Sequence, residues 1–397
     1  MRLAIVNGVW DPRIPTPAAL LEQYTTLTGW ATAARGAGCD PVVVCQRFPA
    51  RADLVRDGVT YRFRPDRGTP NPGLSFAGAD GVQGSAAAAH PDVVHVNGPL
   101  HPALVRRLRA KLPRRAAIVV QDHGGLDPGR LSLPRRIAIR RGLAAADALL
   151  VSAQGQAECW RRSGAAPKDL VIRDVMEAST TLTPVPRDEA RRTSGMEGSP
   201  ALLWVGRLNA NKDPLAVLRG FALFAGRLPT ARLTIVHGTS DLLSEVIAEV
   251  ARTPMLRARV RVIGPLAHDA LAAYYSAADV FVLGSHMEGS GYAAIEAMAC
   301  GAIPVLTDIP SFRALTGNGR IGALWTPGEP HSLADALASV MARPLARERE
   351  ATRARFQSTF TWRAIGMRAV DLYQEAVARR SAPSVSPAKA GHHAHGL

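Results

Sequence analysis

The stretch that decides the fold is Gly284 to Val305, GSHMEGSGYAAIEAMACGAIPV. It follows a short apolar run, Val280 to Leu283, with the pattern of a buried strand. Its Gly289-Ser290-Gly291 turn opens a helix over Tyr292 to Cys300, which Gly301 ends. A strand that passes through a glycine turn into a helix belongs to a parallel sheet with crossover helices. Glu288 lies on the turn and Glu296 slightly over one turn into the helix. Two carboxylates so placed can hold one polyhydroxylated ligand at two points. The glycines also let a diphosphate approach the free amides at the helix start. A helical Glu is usually a solvated surface group. The flanking glycines argue against that for Glu288 and leave it open for Glu296.

Working outward, the same alternation fills the chain. Strand patterns fall at Leu3–Asn7, Val42–Cys45, Val59–Arg64, Asp92–Val96, Ala117–Gln121 and Ala148–Ser152, with helices over Ala18–Arg35, Pro102–Lys111 and Leu133–Ala145. Pro184 to Pro200 is polar and proline-punctuated, and reads as a linker. Strands then recur at Ala201–Val205, Arg232–His237, Val260–Ile263, Val280–Leu283 and Ile303–Leu306. Helices recur over Pro214–Gly226, Leu242–Arg252, Leu271–Ala277 and Ser332–Met341. The expectation is an α/β protein of two doubly wound, Rossmann-like domains, 1–190 and 198–360, facing a central cleft. A last amphipathic helix over 361–379 and a disordered tail over 381–397 complete the reading.

A length of 397 residues suits two domains of the usual size. The four cysteines have no C-x-x-C spacing, which sets aside a zinc site or a disulfide framework and suggests a reducing, cytoplasmic setting. The first residues read as a buried strand rather than a signal peptide, and no run is apolar enough to span a bilayer. The formal net charge of +15 invites nucleic acid or an anionic membrane as a partner. Aromatics are too few to stack bases, so nucleic acid is not expected. The basic run from Arg106 to Arg115 could reach an anionic membrane as a peripheral contact, or simply be solvated.

Three further clusters sit where strands end. Gly206-Arg207-Leu208-Asn209-Ala210-Asn211-Lys212 follows the strand Ala201–Val205, and its Arg fork and Lys point charge suit a diphosphate. Gln121-Asp122-His123-Gly124-Gly125 follows another strand; His123 is either a base or hydrogen-bonding group in the cleft, or a structural histidine. Asn7-Gly8 follows the first strand without a G-x-G-x-x-G fingerprint, so a dinucleotide cofactor has no support. No metal-binding motif stands out, and no metal is expected.

With these residues in hand, the chain resembles the retaining glycosyltransferases of the GT-B fold, in the large group called family 4. E-G-S-G-Y-A-A-I-E-A-M-A-C-G-A-I-P-V is similar to that family's E-x7-E signature, and V-G-R-L-N-A-N-K-D-P to its Gly-Arg…Lys segment. A-A-D-A-L-L-V-S-A-Q-G-Q and S-A-A-D-V-F-V-L-G-S match two further family habits. The resemblance implies transfer of a sugar from a nucleotide-diphosphate sugar to a small-molecule, glycan or lipid-linked acceptor. It implies retention, no metal, and no cofactor beyond that co-substrate. Arg207 and Lys212 would hold the diphosphate, Glu288 the sugar hydroxyls and Glu296 the ribose. Gly264 and Leu266 would lie beside the base, His123 on the acceptor side, and Gly8 at the amino-terminal phosphate loop. Gly289, Ser290 and Gly291 would line the donor, with Ser290 in place of the family's usual aromatic. An epimerase of the same fold, or a non-catalytic sugar-nucleotide binder, is the competing reading.

Overall fold

The computed structural model describes residues 1–65, 80–125, 127–239 and 241–381. The tail from 382 onward, with its three histidines, lies outside the described residues. Two sheets organise the chain, and the central strands of each are β-branched and leucine-rich runs buried on both faces.

The first sheet has eight strands: β1 (Leu3–Asn7), β2 (Val42–Arg47), β3 (Ala52–Arg56), β4 (Val59–Arg64), β5 (Val93–Asn97), β6 (Ala117–Gln121), β7 (Ala148–Val151) and β8 (Val171–Asp174). Their order is β3-β4-β2-β1-β5-β6-β7-β8, all parallel except β3, which pairs antiparallel with β4. The second sheet has β9 (Ala201–Gly206), β10 (Arg232–His237), β11 (Val260–Ile263), β12 (Val280–Leu283), β13 (Ile303–Thr307) and β14 (Ala323–Trp325), in the order β11-β10-β9-β12-β13-β14, all parallel. Each sheet therefore reverses its winding once, between β1 and β5 and between β9 and β12. Crevices outside the carboxyl ends of strands at such a reversal are where ligands bind.

The opposite, amino ends of the strands share a device. Asp92, Asp147 and Asp279 each precede a strand, and each carboxylate accepts the backbone N–H of a neighbouring segment: Arg2 (2.9 Å), Ile118 (2.7 Å) and Ala201 (2.8 Å). Each is also met by arginine, Asp279 by Arg187 and Arg191. The two A-A-D stretches of the sequence are thus strand-register pins rather than ligand contacts.

Several elements differ from the sequence expectation. The linker contains a helix, Arg187–Ser194, that the polar composition conceals. Acids in its first turn and arginines in its last complement the helix dipole, and Arg187 and Arg191 anchor it to buried Asp279. The expected helix over Ala18–Arg35 is two, Pro17–Gln23 and Thr25–Gly36, broken at Tyr24 where ψ is 58°. A helix over Asp80–Ala87 lies where the sequence pattern marked none.

The last helix, Trp362–Ser381, leaves the second sheet and packs on Thr25–Gly36. Gly29 and Gly366 make the close crossing possible: a Cβ at Gly29 would lie 2.2 Å from the Trp362 ring, and one at Gly366 2.4 Å from Ala33 O. Tyr373 on this helix accepts the Trp30 indole N–H (2.8 Å) and donates to His95 Nδ1 (2.8 Å).

Candidate active site

In the second half, two loops leave the point where the sheet reverses, one after β9 and one after β12. Asn211 ties them: its Nδ2 donates to Met287 O (3.0 Å) and its Oδ1 accepts the Met287 N–H (3.1 Å). His286 Nε2 lies 3.1 Å from Asp213 Oδ2. Gly284 permits the approach, since a Cβ there would stand 2.9 Å from Asp213 O and 3.0 Å from Lys212 O. Lys212 Nζ then donates to the Glu288 carboxylate, with both side chains largely withdrawn from solvent. Arg207 is exposed, and among the described residues its guanidinium has no partner. The Lys212 charge is balanced by Glu288, so the uncompensated cation at this edge is Arg207.

Glu296 is a different matter. It is 4% exposed, its Oε1 lies 2.6 Å from His268 Nε2 and its Oε2 accepts the Tyr275 hydroxyl (2.9 Å). The solvated-surface reading left open for it is therefore wrong. Burial, and then the Glu296 charge, raise the Tyr275 pKa, which keeps the hydroxyl a donor.

The two glutamates open onto different cavities. Glu296, with His268 and Tyr292, lines a space of about 1160 Å³ that Thr25, Thr28 and Trp362 close from the other side. Glu288, with Asn211 and His286, lines one of about 550 Å³ that Asp122 and Trp160 of the first half complete. A ligand held by both carboxylates has to pass the helix start between them.

At that start Gly291 has φ +74°, and a Cβ there would lie 2.7 Å from the Phe312 ring, so glycine is required twice over. Ser290 is half-buried beside it. Gly289 faces the first half, not an open ligand space. A Cβ on it would lie 2.0 Å from His123 O, and Gln156 Nε2 donates to its carbonyl (3.1 Å). Gly124, at φ +66°, meets it from the other side, since a Cβ there would be 2.6 Å from Gly289 Cα. The sequence reading assigns Gly289 to phosphate approach; here the space a side chain would fill is taken by the first half. Its missing side chain lets the two halves touch.

In the first half, the reversal point holds a cavity of about 590 Å³ lined by Asn7, Asn97, His101, His123 and Glu177 among others. His123 Nδ1 bonds the carboxylate of Glu177, a buried residue just past β8. Nε2 is then the free ring nitrogen among the described residues. Burial opposes the imidazolium, but the Glu177 charge and hydrogen bond, with Asp122 behind them, outweigh it and raise the His123 pKa. Asp122 accepts the Trp160 indole N–H (2.7 Å) and the Gly124 N–H (3.2 Å), which sets the loop's shape, and burial raises its own pKa. His95 is fully buried, and burial, then the nearby His123, push its pKa down to about 3. Because Tyr373 donates to its Nδ1, its Nε2–H faces Asn97 Oδ1 (3.1 Å), which leaves the Asn97 amide hydrogens to the cavity.

Gly8 is buried under the His101 ring, 3.4 Å from where a Cβ would sit, and its carbonyl faces Arg47. Gly264 lies in open space past β11 and Leu266 packs partly on the core; neither lines the three cavities above. Sequence reasoning missed Glu177, His268, Tyr275 and Gln156. Glu177 and Gln156 follow or start elements, β8 and the helix Gln154–Ser163, that it had not placed. Of the basic run from Arg106 to Arg115, Arg109 is structural, bonded to Asp147 and Ala116 O.

Residues 186–357 match the family of glycosyl transferases group 1, and residues 25–172 match glycosyltransferase family 4. The chain belongs to this glycosyltransferase family. It is 31% identical over 274 residues to the D-inositol 3-phosphate glycosyltransferase of Xylanimonas cellulosilytica, covering 66% of this chain and 65% of that one. The enzyme of the same name from Rhodococcus erythropolis is 30% identical over 239 residues, covering 57% and 53%. The chain thus spans between about half and two thirds of the length of these curated relatives. Its two-domain GT-B fold is that of sucrose-phosphate synthase from Thermosynechococcus elongatus, with TM-score 0.72, 22% identity, and 96% of this chain and 100% of that chain covered. Anabaena HepE, solved with UDP, superposes with TM-score 0.72 at 17% identity over 94% of this family member and 100% of HepE.

Proposed function

We propose that this family member transfers a sugar from a nucleoside-diphosphate sugar to an acceptor hydroxyl, with retention at the anomeric carbon and without a metal ion. The observation that carries this reading is the facing of two reversal points. Arg207 and the Lys212–Glu288 pair stand at one, and His123 with Glu177 at the other, with Gly289 pressed against Gly124 between them.

In this reading the second half holds the donor. Arg207 and Lys212 take the diphosphate, whose arrival draws Lys212 from Glu288 and frees that carboxylate for the sugar hydroxyls. Glu296, oriented by His268 and Tyr275, receives the ribose. The first half holds the acceptor in the cavity beside His123, whose Glu177-bound ring presents Nε2 to a hydroxyl or a sugar oxygen. The acceptor oxygen bonds to the anomeric carbon as the bond to the diphosphate breaks on the same face. The acceptor proton passes to the leaving phosphate oxygen. The cations stabilise the charge that develops there.

The UDP bound to HepE makes UDP-sugars the first donors to try. Incubation with labelled UDP-, GDP- and ADP-sugars and candidate acceptors tests the reading. Labelled product carrying the donor's anomeric configuration is expected. Saturable binding with no turnover on any donor would favour a binding protein instead.

An anionic membrane is the proposed site of acceptor access. Leu133 and Ile137 stand exposed on the helix Leu133–Leu143 beside exposed Arg140 and Arg141, the mixture that settles at a lipid interface. No helix among the described residues is long and apolar enough to cross a membrane. Co-flotation with phosphatidylglycerol vesicles, lost in Arg140→Glu/Arg141→Glu, is the expected result, and unchanged flotation of that variant removes the proposal.

A further inference from the structure

A cavity of about 520 Å³ lies away from the residues assigned to donor and acceptor, and three parts of the chain close it: the segment after β7 and β8, the helix Pro310–Thr316 with the turn that follows, and the final crossing segment around Phe360. Two of its guanidiniums converge on one point. A Cβ built on Gly317 would lie 3.4 Å from Arg355 Cζ and 3.5 Å from Arg320 Nε. Gly317 has φ +63°, so the chain turns left-handed there and no side chain separates the two cations.

Neither charge is balanced. Among the described residues Arg320 and Arg355 have no carboxylate within salt-bridge reach, whereas Arg313 and Arg368 on the same rim pair with Asp308 and Asp174. Arg320 donates only Nε, to Gly317 O (3.0 Å). Arg355 gives Nε and Nη2 to the carbonyls of Leu315 and Ala314, which closes the end of the helix Pro310–Thr316. Burial, and then the Arg320 charge, lower the Arg355 pKa, so the pair repel across the gap. Among the described residues the remaining N–H groups, Nη1 and Nη2 of Arg320 and Nη1 of Arg355, have no acceptor in the protein. Two forks of this kind match the oxygens of a phosphate group.

We infer that this cavity is a second anion site, taking a phosphate-bearing small molecule between Arg320 and Arg355. Because both halves and the crossing segment form its walls, an occupant there ties them together and biases how the donor and acceptor sites meet. The inference stands apart from the proposed transfer, since it concerns residues outside both substrate sites.

The test is calorimetric titration of the full chain with pyrophosphate in the presence of saturating UDP, which keeps the probe from the Arg207–Lys212 edge. Saturable heat is expected in the wild type, with affinity weakened roughly tenfold or more in Arg320→Ala and abolished in Arg320→Glu. Arg320 is exposed, so both variants should fold, as circular dichroism would verify. Heat unchanged in Arg320→Glu, or no heat in the wild type, overturns the site. Inorganic phosphate as a second probe separates a single-phosphate site from one that needs a diphosphate, and either result with Arg320 dependence supports it. Failure of sugar transfer in the separate turnover assay would leave this result untouched.

Discussion

The two halves of the molecule share one winding order and one way of pinning strands, yet they arm their reversal points differently. The second half presents cations: an unpaired Arg207 and a Lys212 that leans on Glu288. The first half presents an acid–imidazole couple, His123 on Glu177, in a cavity whose polar walls also include Asn7, Asn97, His101 and Asp122. The contrast teaches that the scaffold sets where ligands go, while a few side chains at strand ends set which charge each half accepts.

The largest effect is expected from breaking the cationic side. Arg207→Ala should reduce turnover by about two to three orders of magnitude. Its exposed side chain carries no packing, so the thermal midpoint should stay put. Near-normal transfer would remove the diphosphate role and with it the contrast between halves.

Next comes the contact that joins them. Gly289→Ala puts a methyl 2.0 Å from His123 O, so the halves must separate there. Turnover should fall by about tenfold or more, as misplacing reacting groups by an ångström does. Small-angle scattering should show a more open particle. An unchanged scattering curve with unchanged rates would mean that the approach is not needed.

The acid–imidazole side should respond more gently, through pH. A base whose folded pKa is raised stabilises the fold fully below its unfolded value near 6.5, and loses that contribution as pH rises through the higher folded value. Glu177→Gln should therefore lower the His123 titration midpoint in NMR and flatten the fall of the thermal midpoint above pH 6.5. A midpoint unmoved by the substitution would detach Glu177 from the imidazole.

His95 runs the other way and tests the crossing helix. Its folded pKa near 3 lies below the unfolded value, so its contribution is present above about pH 6.5 and is lost as pH falls from there. His95→Gln should lessen acid destabilisation between pH 6 and 4, a modest change in the melting curve. Equal acid sensitivity in both proteins would refute this.

Legibility followed the same division. The cationic half was readable because its central strands, Ala201–Gly206, Val280–Leu283 and Ile303–Thr307, are largely apolar runs and its ligand-bearing loops are local: Arg207 to Lys212, and Glu288 to Gly291, each span only a few residues. Helix Arg187–Ser194 was hidden because its support is ionic and remote, with Asp279 lying 92 positions from Arg187 and 88 from Arg191 in sequence. Glu177 was hidden for a similar reason. Nothing around it in the chain marks it, and only the parallel sheet places β8 two strands from β6.

The sequence by itself determined the alternating α/β architecture, the two doubly wound halves and the identity of the groups at the strand ends. Apolar periodicity and glycine turns act over a few residues, and these are local instructions. The tertiary structure alone decided the partners: Lys212 with Glu288, His123 with Glu177, Glu296 buried under Tyr275 and His268. It also decided that Gly289 serves the meeting of the halves. Such pairings arise where separate strands end side by side, and short-range pattern carries no record of which ends become neighbours.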